Sequence, residues 1–112
     1  CPMDGGGISV APNGVLTSVW RRENQIFTSK MGEPEQLLGQ GRNASVATGN
    51  LHTFIVWQDQ GQVWLRTSAQ KPAVSVGAGR FPRILMLNEQ QAFCVWEDKE
   101  TIKGMVVAGE GK

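Results

Sequence analysis

Short runs of alternating apolar and polar residues, each closed by turn formers, follow one another along the whole chain. Such period-two runs of four to eight residues read as β-strands, because successive side chains of an extended chain point to opposite faces. The first third predicts strands over Gly7–Ala11, Val15–Arg21, Gln25–Ser29 and Glu35–Leu38, with turns at Pro12-Asn13-Gly14 and Arg22-Glu23-Asn24. Asn-Gly between two alternating runs is a strong hairpin signal. The middle third predicts Ala44–Thr48, His52–Gln58, Gln62–Thr67 and Ala73–Val76, turning at Gly49-Asn50 and Asp59-Gln60-Gly61. The last third predicts Arg83–Leu87, Ala92–Glu97 and Thr101–Val107, turning at Asn88-Glu89-Gln90 and Asp98-Lys99-Glu100. It closes on Gly109-Glu110-Gly111-Lys112, with no room for a fourth strand. No segment carries a 3.6-residue apolar stripe over the length a helix needs, so the chain is expected to be all-β.

The runs are organised by a repeat. Val19-Trp20-Arg21-Arg22, Val56-Trp57-Gln58-Asp59 and Val95-Trp96-Glu97-Asp98 are one phrase written three times, and the steps from 20 to 57 and from 57 to 96 are 37 and 39 residues. A second phrase, Gly39-Gln40-Gly41-Arg42 and Gly77-Ala78-Gly79-Arg80, keeps the same beat, with 38 residues from 42 to 80. An all-strand repeat of this length predicts propeller blades or another stacked β-array. The expected units are about 5–40, 41–78 and 79–112, each of three or four antiparallel strands in up-and-down order. In the second strand of each unit one face carries Ser18 and Trp20, Ile55 and Trp57, or Cys94 and Trp96. The other carries Thr17 and Val19, Phe54 and Val56, or Phe93 and Val95. Both faces are largely apolar, as in a strand sandwiched between neighbouring sheets. Three such units leave an uncovered face at either end, so further blades are expected, from the same protein or from a second copy in a homodimer.

Composition narrows the function classes. Forty per cent of the residues are apolar and 14 are glycine, enough for a packed core. Eleven basic against ten acidic residues give a net charge of +1, and the basic residues are scattered, which argues against a nucleic-acid partner. No apolar run approaches the ~18 residues that read as a membrane span. The two cysteines, Cys1 and Cys94, allow a disulfide, but Cys94 occupies the place of Ile55 and Ser18 and reads more simply as a buried thiol. A first residue other than Met is expected to reflect a proteolytic boundary, ahead of secretory-signal removal and, last, lipidation of Cys1.

Candidate chemistry is sparse. Arg42 and Arg80 precede the first strand of the second and third units, where two guanidinium groups at one mouth of a ring would suit a carboxylate, sulfate or phosphate. The plain alternative is pairing with a loop carboxylate or carbonyl. Trp64 stands where the other units have Phe27 and Gly104, which makes it the aromatic candidate for stacking a sugar, with Arg66 as hydrogen-bond donor; core packing is its alternative. Arg21 and Arg22 stand where the other units have Gln58-Asp59 and Glu97-Asp98, which suggests a charge-complementary contact between blades ahead of a departure at a site. Asp59, Glu97 and Asp98 fall at turns where solvated charge is normal, rather than as a paired-carboxylate site. His52 is alone, so neither a metal site nor a Ser/His/Asp triad is expected. Gly39-Gln40-Gly41 has no following helix to make a phosphate loop. No cofactor is implied.

The phrases Cys1-Pro2-Met3-Asp4-Gly5-Gly6, Ile8 to Gly14, Val19-Trp20-Arg21-Arg22 and the later Val-Trp phrases resemble the sialidase-type β-propeller superfamily, in particular bacterial secreted proteins with sialidase-like or BNR repeats. The resemblance spans the chain and implies a six-bladed ring of which this chain is roughly the C-terminal half, in an extracytoplasmic (periplasmic or secreted) location. It also implies a tyrosine nucleophile with a glutamate partner, an aspartate acid/base and an arginine cluster. This chain has no tyrosine and no Ser-x-Asp-x-Gly-x-Thr-Trp box. Hydrolysis by this chain alone is therefore not expected. Three readings follow: a non-catalytic scaffold or glycan- and anion-recognition segment, a self-assembling propeller lectin whose dimer closes a six-bladed ring, or a fragment of a glycoside hydrolase whose catalytic residues lie elsewhere.

Overall fold

Turn chemistry sets the register of the first hairpin and of the three hairpins closed after the tryptophan strands. In the first, Gly14 N–H donates to Ala11 O at 2.8 Å, Ala11 N–H to Val15 O at 2.9 Å, and Val15 N–H to Asn13 Oδ1 at 3.1 Å. The three two-residue loops after the tryptophan strands open on Glu23, Gln60 and Lys99, all at positive φ (61°, 54° and 59°). The computed structural model describes residues 3–49, 52–67 and 72–108. Within them lie eleven strands and no helix: β1 Met3–Val10, β2 Leu16–Arg22, β3 Gln25–Lys30, β4 Gln36–Gln40, β5 Arg42–Thr48, β6 Thr53–Asp59, β7 Gln62–Arg66, β8 Val74–Ala78, β9 Arg80–Met86, β10 Gln91–Asp98 and β11 Thr101–Ala108. Cys1, Asn50 of the second-unit turn and the closing Gly109-Glu110-Gly111-Lys112 lie outside the described residues.

The strands form three antiparallel sheets in chain order, β1-β2-β3-β4, β5-β6-β7-β8 and β9-β10-β11. Each first strand is bulged at its start, between Met3 and Gly6, Arg42 and Ser45, and opposite Val95 and Glu97 in β9. Asn43 and Phe81, both at φ 56°, occupy the bulges of β5 and β9. The register sets Phe27, Trp64 and Lys103 opposite Trp20, Trp57 and Trp96. The third counterpart of Trp64 is thus Lys103, not Gly104, because the tight loop pairs Asp98 with Thr101 and fixes everything beyond it.

Consecutive sheets pack face to face, and they lie closest at their first strands, β1 against β5 and β5 against β9, with approach falling off toward the third. Side-chain alternation builds the two cores. Val19 and Ile26 of the first sheet meet Val46, Ile55 and Trp57 of the second. Phe54, Val56, Val63 and Leu65 on the opposite face of the second sheet meet Ile84, Ala92, Cys94, Trp96 and Val107 of the third. At ~1.5–3 kcal/mol for each large buried side chain, these two layers supply the main stabilising term. Polar cross-links join the first strands: Ser9 Oγ lies 2.7 Å from Thr48 Oγ1 and accepts from Thr48 N–H at 3.1 Å, and Ser45 Oγ accepts from Ile84 N–H at 3.2 Å. Cys94 is free and fully buried, and burial pushes its thiol up to about 11.

Candidate functional site

The Gly-x-Gly-Arg phrases are the links between sheets, and their glycines seat the tryptophans. A Cβ built on Gly79 would lie 2.3 Å from Trp96 Cδ1 and 2.6 Å from Glu97 O. One on Gly41 would lie 2.5 Å from both Trp57 Cδ1 and Gln58 O. The bare glycine backbone therefore admits an indole that any side chain would exclude. Trp96 Nε1 donates to Ala78 O at 3.0 Å, the residue between the two glycines. Gly41 N–H and Gly79 N–H donate to Asn24 O and Gly61 O, both at 2.9 Å, tying each link to the hairpin loop of the sheet before it.

Around the first link this arrangement leaves a polar cleft of about 430 Å³, lined by Asn24, Gln40, Arg42, Gln58, Asp59 and Gln60 among others. Arg42 is exposed there and forms no ion pair among the described residues. Gln58 has another task. Its Oε1 accepts from Asn43 Nδ2 and from Phe81 N–H, each at 2.7 Å, so it bridges the bulges of β5 and β9 across the sheet boundary. At the second link Arg80 Nε donates to Glu97 Oε1 at 3.0 Å and its guanidinium lies 5.5 Å from the Phe81 ring. The exchange of Gln58 for Glu97 after the tryptophan accounts for the difference: one arginine is neutralised within its own sheet and the other remains in an open cleft.

Trp64 and Arg66 belong elsewhere. Trp64 is half-buried, stands opposite Trp57 and packs on the core between the first two sheets with Leu38 and Ala73. Its Nε1 is buried without a hydrogen-bond partner. Arg66, opposite Ile55, is half-buried on the same side, and desolvation lowers its pKa. Five residues of strand separate it from Gly61 at the cleft, ~16 Å at the usual rise. Of the two candidate pairs, Arg42 lines the cleft while Arg80 is ion-paired at the other link, and Trp64 and Arg66 share the side of β7 that carries Trp57 and Ile55 as cross-strand partners.

The remaining candidates find local partners. Arg22 bonds Glu35 at 2.7 Å and lies 4.3 Å over the Phe27 ring, which stacks on Trp20. Arg21 Nη1 reaches Asn24 Oδ1 at 3.5 Å. Glu97 and Asp98 pair with Arg80 and Lys103, and Asp59 stands on a different sheet. His52 lies beside Phe54, with ring centroids 6.2 Å apart, and no group of three metal-ligating side chains occurs among the described residues. No helix among them is long and apolar enough to cross a membrane. Sequence reasoning missed Gln58 as a bridge and the glycines as tryptophan seats. The signal for the seats was present in the near-constant offset from Gly41 to Trp57 and from Gly79 to Trp96.

Comparison with protein-family models, with curated proteins and with solved structures gives no match.

Proposed function

We propose that the chain is a segment of a sialidase-like β-propeller that works without catalysis, as a scaffold and recognition module for glycans or small anions. The observation that carries this reading is the sheet arrangement: up-and-down antiparallel sheets follow in chain order and converge on their first strands, β1, β5 and β9. A ring of blades around an axis is built this way. Further blades complete the ring. The polar cleft at the first link is the recognition site, with Arg42 supplying the charge for a carboxylate or sulfate and Asn24, Gln40, Asp59 and Gln60 offering hydrogen bonds to hydroxyls. Ion-paired Glu97 and Asp98, together with a sequence free of tyrosine, support recognition over hydrolysis.

Calorimetric titration with sialic acid and with sulfated oligosaccharides tests this. Binding is expected for the wild type, lost in Arg42→Ala and kept in Lys99→Ala, with no release of a chromogenic leaving group from a sialoside. Equal binding by Arg42→Ala and wild type, or turnover of the sialoside, overturns it.

A further inference from the structure

The first and third sheets each have one face without a neighbour among the described residues, and the two faces differ in a regular way. The pairing of Gly7, Ser45 and Arg83 with Val19, Val56 and Val95 makes Ile8, Val46 and Ile84 equivalent positions. Val46 and Ile84 are each 7% exposed, because another sheet lies on them, whereas Ile8 is 65% exposed. Trp57 and Trp96 are buried and their equivalent Trp20 is half open. On the far side of the third sheet the relation reverses. Val63, paired with Gln58, is fully buried, while its equivalent Ile102, paired with Glu97, is 69% exposed. Phe93 and Val95 likewise stand half open where the second sheet buries Phe54 and Val56. Phe81, Leu85, Leu87 and Val106 extend this face, each more than half exposed. An apolar surface of this extent marks an interaction site.

The first sheet thus presents the face with which later sheets receive the one before them. The third presents the face with which earlier sheets receive the one after. We propose that a second copy of this chain covers both, head to tail: the open face of the third sheet of one copy packs on the open face of the first sheet of the other, and reciprocally. The inference rests on the blade reading above and names its partner. The occupant follows from continuity, since the contact repeats an interface the chain already builds twice, and both of its halves are carried by one molecule. Unlike faces that meet head to tail either close a ring or grow into a filament; here two copies close.

Sedimentation equilibrium over the micromolar range tests the proposal with wild type, Ile8→Asp, Ile102→Asp and an equimolar mixture of the two variants. Both substitutions fall on side chains exposed in the single copy, and far-UV circular dichroism checks that each variant is folded. Wild type is expected at twice the 12.2 kDa chain mass. Each variant alone should pair at least ~100-fold more weakly, because a buried unpaired carboxylate is costly. The mixture should pair more tightly than either variant, since the unaltered first sheet of one and third sheet of the other still match. Wild type remaining at 12.2 kDa, masses beyond two copies, undiminished pairing of Ile8→Asp, or a mixture no tighter than its components would each overturn the proposal. Pairing without any glycan binding would remove only the recognition reading, and glycan binding by a monomer only this one.

Discussion

Gly79→Ala places one methyl group at the tightest point of the repeat. The new Cβ would stand 2.3 Å from Trp96 Cδ1 and 2.6 Å from the backbone oxygen of Glu97, at φ +151°. The indole is buried and its Nε1 is anchored to Ala78 O, so it has no free direction in which to yield. The Glu97 carbonyl belongs to β10 and moves only with the strand. Forcing a methyl into such a site costs ~1–3 kcal/mol, and holding a non-glycine residue in that backbone region costs ~1–3 kcal/mol more. A loss of about 2–6 kcal/mol is therefore expected, a large share of the ~5–15 kcal/mol typical of a domain. Gly7→Ala is the control: the atoms nearest its Cβ, from Ser45 and Val46, lie 3.7 Å away, an ordinary contact. Urea unfolding followed by tryptophan fluorescence reads both, with a lower midpoint at unchanged slope for Gly79→Ala. A loss below ~1 kcal/mol, or one no larger than that of Gly7→Ala, would refute the seating of the indole on the glycine link.

Trp96→Phe should lose about 1–3 kcal/mol in the same assay, since the Nε1–Ala78 O bond disappears and the smaller ring leaves space; an unchanged midpoint would count against it. Gln58→Leu removes the acceptor shared by Asn43 Nδ2 and Phe81 N–H and should cost about 1–2 kcal/mol, with faster amide exchange at Phe81. Cys94 gives a pH dependence. Its thiol is raised from 9.0 to about 11 by burial, so between those values the unfolded chain releases a proton that the native chain keeps. The stability it contributes is complete below 9.0 and is lost as pH rises through about 11. The difference in urea midpoint between wild type and Cys94→Ala should shrink over that range, and a constant difference would refute it.

Much of this architecture was legible in the sequence because it rests on local periodicity. The alternation of Ser18 and Trp20 with Thr17 and Val19, repeated twice, assigns residues to the correct faces, and Cys94 proves to be the small buried thiol that its place in the repeat, equivalent to Ile55 and Ser18, implied. Contacts that join distant strands were less legible. The Gly-x-Gly-Arg phrase read as a turn ahead of a strand with an arginine on offer, because nothing local shows that an indole from the next sheet fills the space above the glycines. Phe81 at φ 56° has no local signal either, since a bulky aromatic disfavours that conformation and is held there by the bulge and by Gln58. The unlike fates of Arg42 and Arg80 follow from Gln58 and Glu97, a difference visible in the sequence but interpretable only once the register set each beside its arginine.

The stacking of successive sheets at their first strands can be measured directly with a cysteine pair at positions 9 and 48, where the native Ser9 and Thr48 oxygens are 2.7 Å apart. Ser9→Cys/Thr48→Cys in a Cys1→Ser/Cys94→Ala background, oxidised in dilute folded protein and mapped by peptide mass spectrometry, should yield an intrachain 9–48 disulfide. A folded variant in which these thiols stay reduced, or cross-link only between molecules, would contradict the packing of β1 against β5.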